Sequence, residues 1–212
     1  MITPHILIAD DHSIVRLGIS LVIQKQYPKA VIKQTDNYQG VLDMVAKDDF
    51  QLVILDVNMP NGSFQATLDT IKMKRCETRV LVFSTLDEEL YAARYLKAGA
   101  DGFLQKQVSE EGVKTALEKM MQTGTYISDK VKEALINQTL HHKDAYQNPL
   151  GVLSDRELEI ARLLITGNGL KEIANKLFVH VATVSTYKSR IYKKLNITSV
   201  IELGEVFRLY HL

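Results

Sequence analysis

Five short apolar runs, at 5–10, 30–35, 51–56, 79–84 and 102–105, alternate with five longer segments of helical period at roughly 13–27, 38–48, 64–75, 87–98 and 109–123. Short β-branched apolar runs fit strands buried on both faces, and a helix after each fits the crossovers of a parallel sheet. The pattern predicts an α/β fold built on a doubly wound five-stranded parallel sheet. In such sheets function collects at the C-terminal edge of the strands, near the point where strand order reverses. The residues at that edge carry chemistry. The first run ends in Asp10-Asp11-His12, the third in Asp56, the fourth in Ser84 and the fifth in Lys106. Three acids, a hydroxyl and an amine therefore converge.

Holding Asp10, Asp11 and Asp56 together is costly. Two like charges about 5 Å apart repel by roughly 3 kcal/mol at an effective dielectric near 20. Protonation or a divalent cation relieves that cost. Hard carboxylate oxygens without a His/Cys cluster favour magnesium over zinc. His12 is a single imidazole after the acid pair, which is read as loop packing rather than as a ligand. A cation here also permits a reaction. A carboxylate approaches a phosphoryl group poorly because both are negative, and magnesium bridging them, with a lysine and a hydroxyl on the remaining oxygens, lowers that barrier. Aspartate is a known nucleophile in aspartyl-phosphate chemistry.

At 212 residues the chain has room for two domains. Gly124-Thr125-Tyr126-Ile127 breaks the alternating pattern, Ser128 is placed to cap a helix over about 129–140, and the polar stretch from His141 to Gly151 reads as a linker. The remainder predicts helices at about 154–166, 170–177, 181–195 and 199–208, so the second domain is all-α with four helices. Its first helix opens on Ser154-Asp155-Arg156-Glu157, a capping box. Charge is divided unevenly. Residues 1–148 carry 17 Lys/Arg and 19 Asp/Glu, a balance of −2, whereas 149–212 carry 9 and 6, a balance of +3. Within 165–200, Lys171, Lys176, Lys188, Arg190, Lys193 and Lys194 face only Glu172. A basic patch there suggests a polyanionic partner.

Lys171 to Leu177, a short turn over 178–180 and then Val181 to Leu195 read as a helix-turn-helix. Val184, Ile191 and Leu195 make the buried stripe of the second helix, and Ser185, Thr186, Lys188 and Ser189 lie on the opposite face. Small hydroxyls flanked by basic residues fit the major groove of DNA. The last helix, with Val200, Ile201, Leu203, Val206, Phe207 and Leu209, has more apolar surface than a small bundle needs, with core packing as the competing explanation. No apolar stretch approaches the roughly 20 residues of a membrane span, no secretion signal is evident, and the single cysteine, Cys76, has no partner for an intramolecular disulfide. A cytoplasmic setting is expected.

Residues 1–125 resemble the receiver domain of two-component response regulators, a flavodoxin-like fold, through Asp10-Asp11, Asp56-Val57-Asn58-Met59-Pro60, Ser84 and Lys106. The resemblance implies that Asp56 accepts phosphoryl from a sensor histidine kinase, and that Asp10, Asp11, Asp56 and the backbone carbonyl of Asn58 hold Mg2+. It further implies that Ser84 is the switch hydroxyl, Lys106 the phosphoryl-pairing amine and Phe103 the switch aromatic. Residues 152–212, after a linker helix and flexible linker over 126–151, resemble the LuxR-type helix-turn-helix domain through Leu153-Ser154-Asp155-Arg156-Glu157, Lys171-Glu172-Ile173-Ala174, Thr183-Val184-Ser185-Thr186-Tyr187 and Lys194-Leu195. Together the halves resemble NarL/FixJ-type regulators. That implies Ser185, Thr186 and Ser189 as base readers, Lys171, Lys188, Arg190 and Lys193 as phosphate contacts, and Thr183 within the same double-stranded DNA interface. It also implies a homodimer when active, formed on DNA through the last helix.

The sequence departs from the family in three places. Gln107 stands where a proline usually follows the lysine, Gly62 arrives two residues after Pro60 instead of four, and Gly169-Leu170 replaces a polar pair before Lys171. The first two motivate a rival reading, a regulator indifferent to phosphorylation. A second rival, a phosphatase or phosphotransferase, lacks a second acid placed as a general base. The chain is therefore expected to be a phosphorylation-switched transcription regulator, not a turnover enzyme.

Overall fold

The computed structural model describes residues 3–133 and 149–209. These fall into two compact units, one within 1–141 and the other within 142–212. The first has five strands, β1 (His5–Ala9), β2 (Val31–Thr35), β3 (Leu52–Leu55), β4 (Arg79–Ser84) and β5 (Gly102–Gln105), and five helices, α1 (Ser13–Gln26), α2 (Tyr38–Lys47), α3 (Phe64–Lys74), α4 (Glu88–Lys97) and α5 (Glu110–Thr123). All strand pairs are parallel and the order is β2-β1-β3-β4-β5. The chain thus steps one way from β1 to β2, then crosses back beyond β1 to β3. Strand order reverses between β1 and β3, and that is where the acids lie.

Side chains alternate across the sheet, and both faces are covered. Ile6, Ile8, Leu52, Ile54 and Leu81 pack with Ile19 and Ile23 of α1 and Leu117 and Met120 of α5. Leu7, Ala9, Val53, Leu55 and Val80 pack with Tyr38 and Val41 of α2 and Leu68 and Ile71 of α3. Two-sided burial is why these strands read as unbroken apolar runs in the sequence. Helix starts are set by caps: Asn37, Ser63, Asp87 and Ser109 each accept a backbone N–H of the first turn. Residues 87 and 109, expected as helical, are caps instead. Gly124, at φ 85°, closes α5 in the left-handed conformation that glycine adopts at little cost.

The second unit opens with a 3-10 turn, Pro149–Val152, followed by α6 (Asp155–Ile165), α7 (Leu170–Lys176), α8 (Val181–Leu195) and α9 (Val200–Leu209). Leu158, Ile160, Ala161 and Leu164 of α6 form a core with Ile173, Ala174, Val184, Ile191, Leu203 and Phe207. The capping box forms in full: Ser154 Oγ accepts the Glu157 N–H at 3.3 Å, and Glu157 Oε2 accepts the Ser154 N–H at 2.7 Å. Ser128 caps as expected, accepting the Val131 N–H at 3.3 Å. The helix it starts is described only to 133, and most of the expected linker lies outside the described residues. No helix among the described residues is long and apolar enough to cross a membrane.

Candidate functional site

Asp10 follows β1, Asp56 follows β3, Ser84 ends β4 and Lys106 follows β5. The parallel ladder brings these four strand ends to one edge. Lys106 Nζ lies 2.8 Å from Asp56 Oδ2, to which it donates a hydrogen bond, and 2.7 Å from Asp10 Oδ2. The second contact is a buried ion pair, and Asp10 Oδ2 has no other partner among the described residues. Ligand atoms of Asp10, Asp11, His12 and Asp56 lie within 4.8 Å of one another. Three carboxylates against one ammonium leave a formal −2, an excess of negative charge that a largely buried pocket holds only at a cost. The donor set fits a hard divalent cation.

Burial pushes the Asp56 carboxyl above the usual aspartate range, with the charge of Asp10 adding to it. The hydrogen bond and charge of Lys106 and the Asn58 amide oppose that rise without cancelling it. For Lys106, burial works against the ammonium, yet its hydrogen bonds and charge contacts with Asp10 and Asp56 outweigh burial, and the amine is held above its ordinary value. The pocket therefore keeps Lys106 charged while making ionisation of Asp56 costly.

Ser84 is fully buried, its Oγ accepts the Leu86 N–H at 3.2 Å, and its carbonyl accepts the Lys106 N–H at 2.7 Å. Phe103 is buried and stacks on Tyr95 of α4 at 5.8 Å, and Tyr95 meets Phe64 of α3 edge-on at 4.8 Å. Sequence reasoning did not foresee this three-ring contact, because it joins residues from α3, α4 and β5 that share no local motif. It also missed Arg16, whose Nη1 donates to the Asp10 carbonyl at 2.6 Å. His12, expected only as loop packing, closes on the acids, with Nδ1 2.6 Å from Asp11 Oδ1. Gln107 leaves the ammonium's geometry intact, since Lys106 reaches both acids.

In the second unit α7 and α8 form the helix-turn-helix. Phe178 turns the chain at φ 52° with its ring 96% exposed. Val184 and Ile191 are buried as expected, and Leu195 is half-buried. Ser185, Thr186, Ser189, Arg190, Lys193 and Lys171 are exposed, while Thr183 and Lys188 are half-buried. Thr186 and Ser189 donate back to the carbonyls of Ala182 and Ser185, at 3.0 and 3.1 Å, which leaves their oxygens free to accept. Lys194 is not part of the outward basic face. Its Nζ binds Glu157 Oε2 at 2.6 Å and the Val152 carbonyl at 3.1 Å, an internal tie that a charge count along the sequence does not reveal. At Gly169, Glu172 accepts the backbone N–H at 2.8 Å, half of a capping box, because glycine has no side chain to complete it. On α9, Leu203 and Phe207 enter the core, whereas Ile201 stays 78% exposed.

Comparison with known proteins agrees with both halves. Residues 6–118 match the response regulator receiver domain, and residues 151–206 match the luxR family of bacterial regulatory proteins. The oxygen regulatory protein NreC of Staphylococcus epidermidis is 34% identical over 207 residues, covering 94% of each chain. The fimbriae Z protein of Escherichia coli is 32% identical over 208 residues, covering 98% of this chain and 97% of that one. Among solved structures, the RcsB response regulator of Salmonella typhimurium shares the fold at TM-score 0.59 and 22% identity, covering 99% of this chain and 100% of that one. A receiver joined to a luxR-type helix-turn-helix makes this chain a member of the NarL/FixJ-type response regulators, the DNA-binding transcription regulators of two-component systems.

Proposed function

We propose that Asp56 is the phosphoacceptor, that a sensor histidine kinase supplies the phosphoryl group, and that the modified receiver changes how α8 engages promoter DNA. The observation that carries this reading is the Lys106 ammonium set between Asp10 and Asp56 in a pocket that is short of positive charge. Asp10, Asp11, Asp56 and the Asn58 carbonyl would hold Mg2+, which neutralises the acids and a phosphoryl oxygen when bound. The Asp56 carboxylate then forms an O–P bond as the P–N bond of a phosphohistidine breaks. Lys106 pairs with one phosphoryl oxygen and the Ser84 hydroxyl turns to another. Phosphorylation adds about −1.5 to −2 of charge at the strand edge, and Phe103, stacked on Tyr95, repacks.

Further observations support the partners. Ile14, Leu17 and Leu21 form an apolar stripe, 73%, 53% and 59% exposed, on α1, the helix that begins directly after Asp10-Asp11-His12, and such a stripe suits a docking protein. RcsB has been solved in complex with DNA and as dimers on DNA. By that likeness we assign Ser185, Thr186 and Ser189 to base edges, and Lys171, Thr183, Lys188, Arg190 and Lys193 to the surrounding interface, with a homodimer as the active form. We set the receiver at 1–125, the linker at 126–151 and the DNA-binding domain at 152–212. A DNA target and one free thiol, Cys76, fit the cytoplasm. The aspartyl phosphate serves as a signal rather than a turnover intermediate, since a DNA-binding domain is attached to read it.

The test is the mass of the intact protein after incubation with acetyl phosphate and magnesium, alongside its affinity for selected promoter fragments. The parent gains one phosphoryl group and its affinity changes. Asp56→Asn gains none and its affinity stays put. An Asp56→Asn protein that responds as the parent does refutes the proposal.

A further inference from the structure

The loop that follows Asp56 is gripped from the side by a residue outside the acid pocket. Tyr38 opens α2 and is only 2% exposed. Its hydroxyl donates to the Val57 carbonyl at 2.7 Å and lies 3.4 Å from the Asp56 carbonyl. Its backbone N–H donates to the Pro60 carbonyl at 3.1 Å. Gly62, at φ 152°, approaches so closely that a Cβ there would stand 2.6 Å from Tyr38 Cβ. Tyr38 thus holds the loop at residues 57, 60 and 62. The early glycine after Pro60, a departure from the family, has its physical reason in this contact. The start of α2 is itself fixed, since Asn37 Oδ1 accepts the Gly40 N–H at 2.8 Å.

The Val57 carbonyl and the Asn58 N–H are opposite ends of one planar peptide unit. The Asn58 N–H donates to Asp56 Oδ1 at 3.4 Å. The Tyr38 hydroxyl therefore acts on one end of a plane whose other end holds the carboxylate. Donation to a carbonyl also polarises its amide and strengthens the N–H as a donor. We infer that Tyr38 is a positioning residue for phosphoryl uptake: through the Val57–Asn58 peptide, its hydroxyl fixes Asp56 Oδ1 for reaction. This rests on Asp56 being the phosphoacceptor.

Tyr38→Phe isolates the effect, because it keeps the ring, its packing on Gly62 and the bond to Pro60, and removes one hydroxyl. With full-length protein, acetyl phosphate and magnesium, the rate of mass gain at saturating donor should fall roughly fivefold to tenfold, the scale of one lost hydrogen bond. The donor concentration giving half the maximal rate should not change. In metal-free protein the Asn58 amide resonance should move while those of α5 stay in place, a signature that a general loss of stability does not give. Gly62→Ala, which displaces the loop and leaves the hydroxyl, should slow uptake at least as much and move the same resonance. A Tyr38→Phe protein with the parent rate and an unmoved Asn58 resonance overturns the inference. A parent that takes up no phosphoryl refutes the reading of Asp56 instead, and the Asn58 resonance still decides whether Tyr38 positions the loop.

Discussion

The acid pocket and α8 both concentrate charge, but they hold it in opposite ways. In the pocket the side chains of Lys106, Asp10 and Asp56 are 9%, 2% and 4% exposed, and the cation meets both acids directly. On α8, Arg190 and Lys193 are exposed and Lys188 is half-buried. Lys188 and Arg190 lie over tyrosine rings of the same helix, Tyr192 at 5.3 Å and Tyr187 at 5.9 Å. Buried charges interact strongly and depend on one another, whereas exposed charges are screened and act almost independently. Under the proposed function the pocket responds to one small anion at fixed distances. The helix face, under the same proposal, sums many weak contacts along a polyanion.

The largest expected effect lies in the pocket. Lys106→Met leaves Asp10 and Asp56 buried without their cation, and should cost about 3 kcal/mol in denaturant unfolding of the metal-free protein. Millimolar Mg2+ should return much of that loss, since a bound cation replaces the missing charge. A loss below about 1 kcal/mol would place the pocket in the same class as the helix face and break the contrast. A full loss that Mg2+ does not relieve would keep the contrast but remove the metal from it.

The second effect sharpens the comparison, because it sets a pocket-like pair inside the DNA-binding unit. Glu157 is buried in α6 and binds Lys194 at 2.6 Å. Burial alone would raise its carboxyl, but Lys194 and the Ser154 amide and hydroxyl outweigh it and hold Glu157 below its ordinary range. A depressed acid stabilises the fold above its unfolded pKa, near 4.3 for glutamate, and that stability is lost as pH falls through the lower folded value. Glu157→Gln should therefore cost about 1 kcal/mol at neutral pH, a figure reduced by the partial exposure of Lys194. It should also flatten the acid limb of unfolding followed by the α6 amide signals. A parent whose α6 is indifferent to pH below 4.3 would show the pair to be ornamental.

The same distinction explains what could be read from the chain. Strands and helices were legible because burial on two faces imposes apolar runs, and the strand-end residues Asp10, Asp56, Ser84 and Lys106 were legible because a parallel sheet brings such ends together. The Ser154–Glu157 box was legible because both partners lie within one turn. Contacts between distant segments were not. Lys194 looked like part of a basic patch until the fold set it against Glu157, 37 residues away. Tyr38 looked like an ordinary helix residue, although its function is expressed at Val57 and Gly62. Phe64 and Tyr95 gave no sign that they stack toward Phe103. Nor does the sequence mark the start of α8 with a cap: His180 stands at the N-cap and makes no side-chain bond there, so α8 is held by packing rather than by its cap.

The smallest effect tests independence on the helix face. Lys188→Ala and Arg190→Ala should each reduce the slope of log affinity against log salt by about 0.9, with base preference unchanged. Together they should reduce it by the sum, since the two cations lie against different rings, Tyr192 and Tyr187. Ser185→Ala should do the reverse, shifting preference and leaving the slope alone. In the pocket, by contrast, Lys106→Met combined with Asp10→Asn should cost clearly less than the two single changes added, because removing the acid relieves the charge that the missing ammonium leaves behind. A coupling energy above about 0.5 kcal/mol between Lys188 and Arg190 would mean that the helix face also works as one unit, and its charges would then have to be explained as the pocket's are.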